Sequence, residues 1–319
     1  MSSSAAIASA AVTGAGSTIA AAVMPNWTNG YLVREGVSVT YSPVGVEAGL
    51  AKLGAHTAEF AATESPLTAG QAAACGGCTQ LPWLLTGVDV AYRVKGVGKL
   101  DLSGKVLTGI FTGKITRWND PKIAALNPKA KLPTGTINVV YPGEDSGETW
   151  TFTNYLSKVS PAWKKTAGTI SAVKFPVGTT AKADPGVGAL IGQTEGSIGY
   201  VSAPYASAAG LNVAAIENSL GEDIVPSAES FAAAAAGVKA LPASGTLSIT
   251  NPPQDSGRGA YPLAMFGYAV VPASTPQKAF VGGFIDYAVG PGSTLGEAFG
   301  VAPLPKTLKS AVRAAVAGF

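Results

Sequence analysis

Strand-like and helix-like segments alternate along the first part of the chain, and short glycine turns separate them. A strand and turn at residues 12–16 lead into a segment with helical periodicity from Thr18 to Tyr31. A second strand at 37–41 is followed by the turn Gly45–Gly49 and another helical segment. Alternation of this kind predicts a mainly parallel α/β sheet whose ligand-binding groups lie at the carboxyl ends of the strands.

The same pattern continues through the rest of the chain. Pro25 interrupts the first predicted helix, and we expect a kink there. The alanine-rich run 231–237 is expected to be helical, because alanine is the best helix former. Further strands and helices are predicted at 59–63, 136–141, 149–157, 196–201, 268–272, 277–289 and 304–317.

Length and charge limit the classes of function. The chain has 319 residues, enough for two domains with separate cores. The net charge is +3 and no lysine- or arginine-rich run occurs, which argues against nucleic-acid binding. No stretch of apolar residues is long enough to predict a transmembrane helix. Residues 1–11 are interpreted as a flexible tail or the remnant of an export signal.

The two cysteines, Cys75 and Cys78, form a C-x-x-C pair. Such a pair is compatible with redox chemistry, half of a metal site or a short disulfide. Structural zinc needs two more ligands, whereas the chain has a single histidine, His56, and no second C-x-x-C. We therefore favour a disulfide in an exported protein and predict no metal site.

Motifs for nucleotides and for catalysis are missing. The chain lacks a phosphate-binding P-loop, a nucleophile elbow and a second histidine for a triad. The segment Thr13–Gly16 begins like a dinucleotide fingerprint, but Ile19 stands where the third glycine belongs. We predict no cofactor and no enzymatic activity.

Several segments, in this order and spacing, resemble the phosphate-binding proteins of ABC importers. They are TGAGST before a helix, the Gly45–Gly49 turn, the ATESPL segment, LTGIFTGKITRWND, LNPKAKLP, DSGETWTFTNYL and GSIGYV. The resemblance runs from about Val12 to Pro272 and is expected to extend to the end of the chain. It implies a two-lobe, Venus-flytrap receptor with a mixed, mainly parallel sheet in each lobe. The lobes would be 12–88 plus 268–319 and 89–267, joined by crossing strands near 87–93 and 265–271.

The resemblance also implies a location, partners and a ligand site. The protein would be periplasmic or extracellular, would act as a monomer and would deliver a small-molecule ligand to an ABC permease. The ligand residues of the family correspond, in chain order, to Thr18, Ile19, Val46, Glu64, Pro142, Ser146, Gly147 and Glu148. Glu47 and Arg258 complete the predicted ligand set, Arg258 as a substitute cation on a loop before the second crossing strand.

Four of these positions depart from the family. Val46 replaces a serine, and Glu64 replaces the aspartate that accepts the phosphate proton. Pro142 replaces the arginine that pairs with phosphate, and Glu148 replaces a threonine hydroxyl. A carboxylate at ~4 Å from an anion costs about 4 kcal/mol at an effective dielectric of about 20. Alternatively, Glu47 and Glu148 only stabilise the first turns of their helices.

Three hypotheses follow from these departures. The first is a solute-binding protein whose pocket is retuned from phosphate towards ligands with ammonium, guanidinium or hydroxyl groups, or a metal ion. The second is a genuine phosphate receptor that uses Glu64 and Arg258. The third is a partner-binding surface module whose cleft is plugged by side chains. Proline at 142 supplies neither charge nor an N–H group, and it favours the first hypothesis.

Overall fold

The computed structural model describes residues 11–253 and 257–319. The predicted tail lies outside the described residues except for Ala11, which already belongs to the first strand. No helix among the described residues is long and apolar enough to cross a membrane.

The chain alternates strands and helices as the sequence predicts. The strands are β1 (Ala11–Gly16), β2 (Ser38–Ser42), β3 (Phe60–Thr63), β4 (Thr79–Arg93), β5 (Asp101–Leu102), β6 (Asn138–Pro142), β7 (Thr179–Ala181), β8 (Ser197–Ser202), β9 (Asn212–Val213), β10 (Ala215–Glu217), β11 (Asp223–Ile224) and β12 (Ala264–Val271). The helices are α1 (Met24–Glu35), α2 (Val46–Gly54), α3 (Ala69–Ala74), α4 (Gly104–Phe111), α5 (Pro121–Leu126), α6 (Gly147–Val159), α7 (Pro161–Thr166), α8 (Ala183–Gln193), α9 (Ala203–Ala208), α10 (Ala228–Ala235), α11 (Lys278–Val289) and α12 (Lys306–Val316).

One long strand, β4, connects the two halves of the main sheet. The strand order is β2-β1-β3-β12-β4-β8-β6-β7, with β9 also paired to β4. The first half of β4 pairs antiparallel with β12, and residues from Val88 to Arg93 pair antiparallel with β8. The outer pairs β1–β2, β1–β3, β6–β7 and β6–β8 are parallel. Together with the antiparallel pairs β3–β12, β4–β12, β4–β8 and β4–β9, they form one curled sheet that spans both halves. The predicted mixed α/β class is therefore confirmed, with parallel and antiparallel pairs in equal number in this sheet.

Each half has its own aromatic core. On the β1–β3 side, the rings of Phe60 and Trp83 pack edge to face with centroids 5.6 Å apart. On the β6–β8 side, Phe152 and Tyr200 stack at 4.4 Å. Aromatic pairs at these distances add to the energy of burying their large apolar surfaces. Both clusters hold helices against the sheet and leave the loops at the strand ends free to form a site.

The first helix differs from its prediction. The chain makes a 3-10 turn at Ala20–Ala22, and α1 begins only at Met24. Pro25 therefore occupies the first turn of α1 and does not kink a helix that starts at Thr18. The reason is that proline lacks an N–H group, which the first turn of a helix does not need.

The cysteine pair forms a disulfide, as predicted. Cys75 and Cys78 are bonded to each other directly after α3. The disulfide packs with Leu53, Ala61 and Val270 in a small apolar cluster beside β3. It closes a short loop and takes no part in the cavity described below.

Gly49 permits the close approach of α2 to β1, which positions the start of α2. A Cβ atom on Gly49 would overlap Cα of Gly16 and lie 2.7 Å from its backbone nitrogen. We expect Gly49→Ala to lower the unfolding free energy by about 1–3 kcal/mol, because backbone on both sides must move. Gly192→Ala is the matched control, since a Cβ there meets nothing within 4 Å. Urea unfolding of both variants tests this expectation, and a Gly49→Ala variant as stable as the parent contradicts it.

Candidate functional site

A cavity of about 470 Å³ opens where strands from both halves of the sheet end. One wall is formed by the residues after β1, the β2–α2 loop and the residue after β3. The opposite wall is formed by the β6–α6 and β7–α8 turns. This is the position at which parallel α/β sheets bind ligands, because the carboxyl ends of the strands and the amino ends of the helices meet there.

Six of the nine predicted ligand residues line this cavity. They are Thr18, Val46, Glu64, Ser146, Gly147 and Glu148, and Pro142 lines it as well. The lining also includes residues that the sequence analysis did not select, namely Ser17, Pro43, Val44, Gly45, Glu144, Asp145, Lys182, Ala183 and Asp184.

The other three predicted residues lie elsewhere. The Ile19 side chain is buried in the apolar core, and its N–H donates to Oγ of Ser17 at 3.0 Å. Glu47 points to solvent from the first turn of α2. Arg258 is almost fully exposed, pairs with Glu222 at 3.7 Å and is not among the residues that line the cavity. In this conformation Arg258 does not supply a cation to the site, because its loop packs on the β10–β11 side.

Glu64 lies at the floor of the cavity, directly after β3, and is only 4% exposed. It contacts Gly147 on the opposite wall: a Cβ atom on Gly147 would lie 2.8 Å from Oε2 of Glu64. Ser17, which also lines the cavity, acts against the rise in the pKa of the Glu64 carboxyl group. The two walls therefore meet at this point, and only glycine at 147 leaves room for the contact.

Glu148 is a buried residue of the predicted anion nest, Ser146-Gly147-Glu148, at the start of α6. Ser146 caps α6, and its Oγ accepts a hydrogen bond from the N–H of Thr149 at 3.1 Å. The Ser146 hydroxyl donates to Oγ1 of Thr149 at 3.0 Å. Ser146 and the backbone N–H of Glu148 act against the rise in the pKa of the Glu148 carboxyl group. Because the side chain is only 6% exposed, the protein itself provides the negative group at this helix start.

Asp184 is the third buried acid of the cavity and was missed from the sequence. It stands in the first turn of α8 and accepts hydrogen bonds from the backbone N–H and the hydroxyl of Ser202. Lys182, which precedes α8, is exposed and is the one lysine or arginine among the described residues lining the cavity. The signal available in the sequence was an acid in the first turn of a helix that follows a strand, the position that Glu148 also occupies.

Burial raises the pKa values of this acidic group. Desolvation raises the pKa of Glu64 to about 7, and the charge of Asp184 adds to the effect. Desolvation also raises the pKa of Asp184 to about 6, although its bonds to Ser202 act in the opposite direction. The pKa of Glu148 lies well above its usual range because of desolvation and the charges of Asp184 and Glu64.

A fourth acid, Asp89, lies on the shared strand β4. It is buried, and its Oδ1 has no hydrogen-bond partner within the described residues. Desolvation, with a contribution from Asp184, raises the pKa of Asp89 to about 8. The sequence shows Asp89 as a charged residue inside an otherwise apolar strand. The sequence of that strand does not reveal that Asp184 lies close to it.

The two acids before Ser146 have structural partners. Glu144 accepts a hydrogen bond from the backbone N–H of Ala183 at 2.5 Å, and Asp145 accepts one from the Ser171 hydroxyl at 2.8 Å. These bonds tie the β6–α6 turn to the neighbouring loops. Glu144 and Asp145 therefore shape the cavity rim, while Glu64, Glu148 and Asp184 present buried carboxyl groups to it.

The arrangement is suited to binding. The described part of the chain contains no group of three or more histidine, cysteine, aspartate or glutamate residues placed to hold a metal ion. The buried carboxyl groups provide acceptors for a ligand with hydrogen-bond donors or positive charge. Their mutual repulsion in the empty cavity is relieved when such a ligand binds or when protons bind.

The raised pKa values predict the pH dependence of stability for the ligand-free protein. Between about pH 4 and about pH 8 the folded state binds more protons than the unfolded state, so the unfolding free energy falls as pH rises. One such group contributes at most about 1.4 kcal/mol per pH unit. We expect Asp89→Asn to reduce this loss, measured by urea unfolding at about pH 5 and about pH 8.5. Glu297→Gln, an exposed control, should leave it unchanged, and equal pH dependence in Asp89→Asn and the parent contradicts the assignment.

Comparisons with known proteins agree with this architecture. The family profile of the PBP superfamily domain matches residues 3–291. A phosphate-binding protein PstS of Pasteurella multocida is 36% identical over 310 residues, covering 95% of this chain and 89% of that protein. A phosphate-binding protein PstS of Xylella fastidiosa is 35% identical over 271 residues, covering 84% of this chain and 73% of that protein.

A solved structure shows the same fold. The chain aligns with a high-affinity periplasmic phosphate-binding protein, PfluDING, with a TM-score of 0.74 and 22% identity, covering 95% of this chain and 93% of that one. The predicted two-lobe receptor fold and the prediction that the chain is a binding protein rather than an enzyme are confirmed by these comparisons. The chain belongs to the PBP superfamily and, within it, to the family of phosphate-binding proteins of ABC importers.

Proposed function

We propose that the protein is an exported, monomeric solute receptor that binds a small ligand rich in hydrogen-bond donors or positive charge, and not phosphate. The observation that carries this proposal is the lining of the cavity. Three buried carboxyl groups, from Glu64, Glu148 and Asp184, face it, and Pro142 stands where the family resemblance places an arginine.

The electrostatic balance supports this ligand class. Above about pH 7, where Glu64 and Asp184 lose their protons, a phosphate ion at ~4 Å from these two carboxylates would meet about 8 kcal/mol of repulsion at an effective dielectric of about 20. That repulsion equals the whole binding free energy of a micromolar complex. A cation or a donor group gains energy from the same carboxylates, because it replaces their lost hydration.

We propose hinge closure as the mechanism, with an ABC permease as the partner that receives the ligand. The lobes would be residues 12–88 plus 268–319 and residues 89–267. In support, β4 changes its partner from β12 to β8 between Gly87 and Val88. The contact of Glu64 with Gly147 across the cavity indicates how a ligand bound by both walls stabilises the closed form.

Phosphate is the second candidate ligand. It is favoured by the relatives, which are named phosphate-binding proteins at 35–36% identity. In this candidate, Lys182 on the rim would take the role of the cation that the sequence analysis assigned to Arg258. Glu64 and Glu148 would have to be protonated to donate hydrogen bonds to phosphate. The third hypothesis, a plugged cleft on a partner-binding module, has less support because the cavity is open and of ligand size.

Titration calorimetry of the ligand-stripped protein with phosphate distinguishes the proposed cationic or donor-rich ligand from phosphate. We expect no binding heat at millimolar phosphate for the parent, and micromolar binding for the double variant Pro142→Arg/Glu148→Thr, which restores the family residues. The matched control is Pro142→Ala/Glu148→Thr, which removes the carboxylate without adding a cation and should stay weak. Micromolar phosphate binding by the parent would refute the proposal.

The pH dependence of affinity separates the two candidates by its sign. A cation favours the deprotonated carboxylates and releases protons, so its affinity should rise between about pH 5.5 and about pH 8, by at most tenfold per pH unit for each proton. Phosphate requires protonated carboxyl groups, so its affinity should fall over the same range. A thermal-shift screen of alkylamines, guanidine and polyols selects the probe for calorimetry. A probe whose affinity falls as pH rises contradicts the cationic assignment.

A further inference from the structure

We propose that a groove at the carboxyl end of α6, here called the basic groove, binds an acidic segment of a partner protein. The basic groove has a volume of about 600 Å³. Its lining residues are Asn154, Ser157, Lys158, Pro161, Lys164 and Thr169. α6 begins at the ligand cavity, and its 13 residues place its other end about 20 Å away. The basic groove is therefore a separate site, and its partner is independent of the ligand in the cavity.

The chain segments around the basic groove carry lysines and no acids. Residues 149–181 include four lysines and neither aspartate nor glutamate, and residues 230–253 also contain no acid. The two segments meet at the groove, where the Lys158 ammonium group donates to the carbonyl oxygen of Thr250. Within the ranges that the structure describes, none of these four lysines forms an ion pair. The positive charge of this surface is thus not neutralised by the protein itself.

The lysines exceed what the neighbouring helix ends require. Lys158 lies in the last turn of α6, and Lys164 and Lys165 lie in the last turn of α7. Cations are favourable there, because the carboxyl end of a helix carries a partial charge of at most about −0.5. Three ammonium groups against two such ends leave a net charge of about +2. This surplus is available to an anionic partner.

Unused hydrogen-bonding groups accompany the charge. The Ser157 hydroxyl is buried and has no hydrogen-bond partner among the described residues. Such orphaned groups are rare in folded proteins, and a carboxylate oxygen in the groove would accept a hydrogen bond from it. The Lys158 ammonium group has three donors, and the Thr250 carbonyl takes one of them. Desolvation lowers the pKa of Lys158, and a bound carboxylate would favour its charged form.

The number of lysines selects a partner with several negative charges. An exposed ion pair changes an affinity by at most about fivefold, so a single phosphate ion that meets Lys158 and Lys164 stays unbound at millimolar concentration. A segment with several aspartate or glutamate residues contacts both lysines at once and also reaches Lys165 on α7. Linked contacts of this kind strengthen one another, because the first one holds the others in place.

An anionic membrane is the less suitable partner. None of the large exposed hydrophobic side chains in the described ranges belongs to residues 149–181 or 230–253, and Trp163 of α7 is buried. Helices that bind membrane surfaces insert an apolar face between the lipids, and this surface offers no such face. A concave groove lined by amide and hydroxyl groups is suited to one extended polypeptide segment.

Fluorescence anisotropy with labelled hexaglutamate tests the proposal on the full chain. We expect saturable binding at about 20 mM salt that weakens several-fold at about 150 mM salt, because salt screens exposed charges. Lys158→Gln/Lys164→Gln should weaken binding about tenfold or more. The matched control is Lys129→Gln/Lys131→Gln, which removes two exposed lysines that line no part of the groove and should bind as the parent does.

Single variants guard against effects on the fold. Lys158 also bonds to Thr250, so Lys164→Gln, at an exposed position, is the second test and should weaken binding about threefold. Ser157→Ala should weaken it about threefold through the lost hydrogen bond. Glu148→Gln, a change in the ligand cavity, should leave hexaglutamate binding unchanged. Circular dichroism verifies that each variant is folded.

Three outcomes overturn the proposal. The first is the absence of saturable hexaglutamate binding, and the second is an equal loss in the two double variants. The third comes from phosphatidylglycerol vesicles in a sedimentation assay: if the parent binds the vesicles and not the peptide, the surface recognises a membrane and not an acidic protein segment.

Discussion

The antiparallel ladder between β4 and β12 is the interaction on which the rest of the structure depends. Along β4, this ladder runs from the pair Thr79 and Val271 to the pair Gly87 and Ala264. From Val88 onwards β4 pairs with β8. Because one strand belongs to both halves, the parallel strands of each half end at a common cavity. Backbone hydrogen bonds thus define the place where side chains from two separate α/β units meet.

The chemistry of that place is set by desolvation. Glu64, Glu148 and Asp184 come from three different turns and share one cavity, and burial raises the pKa of each. An unoccupied acidic cavity is an unfavourable environment for its own charges, so protons or a positively charged ligand stabilise it. The two helix starts at the cavity also differ, because the Ser146 side chain caps α6 whereas Gly45 provides no side-chain cap for α2.

Much of the fold and part of the site were accessible from the sequence. The alternation of strands, glycine turns and helices gave the class, and the motifs around Gly45, Ser146 and Gly196 gave the family. Turn residues such as Ser146 and Gly147 line the cavity, because a strand followed by a glycine turn and a helix brings that turn to the carboxyl edge of the sheet. The kink predicted at Pro25 was wrong, because a 3-10 turn at Ala20–Ala22 precedes α1 and the proline stands in the first turn of that helix, where it is tolerated.

The sequence by itself determined the architecture and the presence of a proline, Pro142, among the residues that line the cavity, because these follow from local pattern and residue identity. Only the tertiary structure decided which acids share the cavity. It brought in Asp184, placed Asp89 behind the site and left Arg258 and Glu47 outside it, since these relations join residues far apart in the chain. Burial, and with it the pKa of each acid, is likewise a property of the assembled walls and not of any one segment.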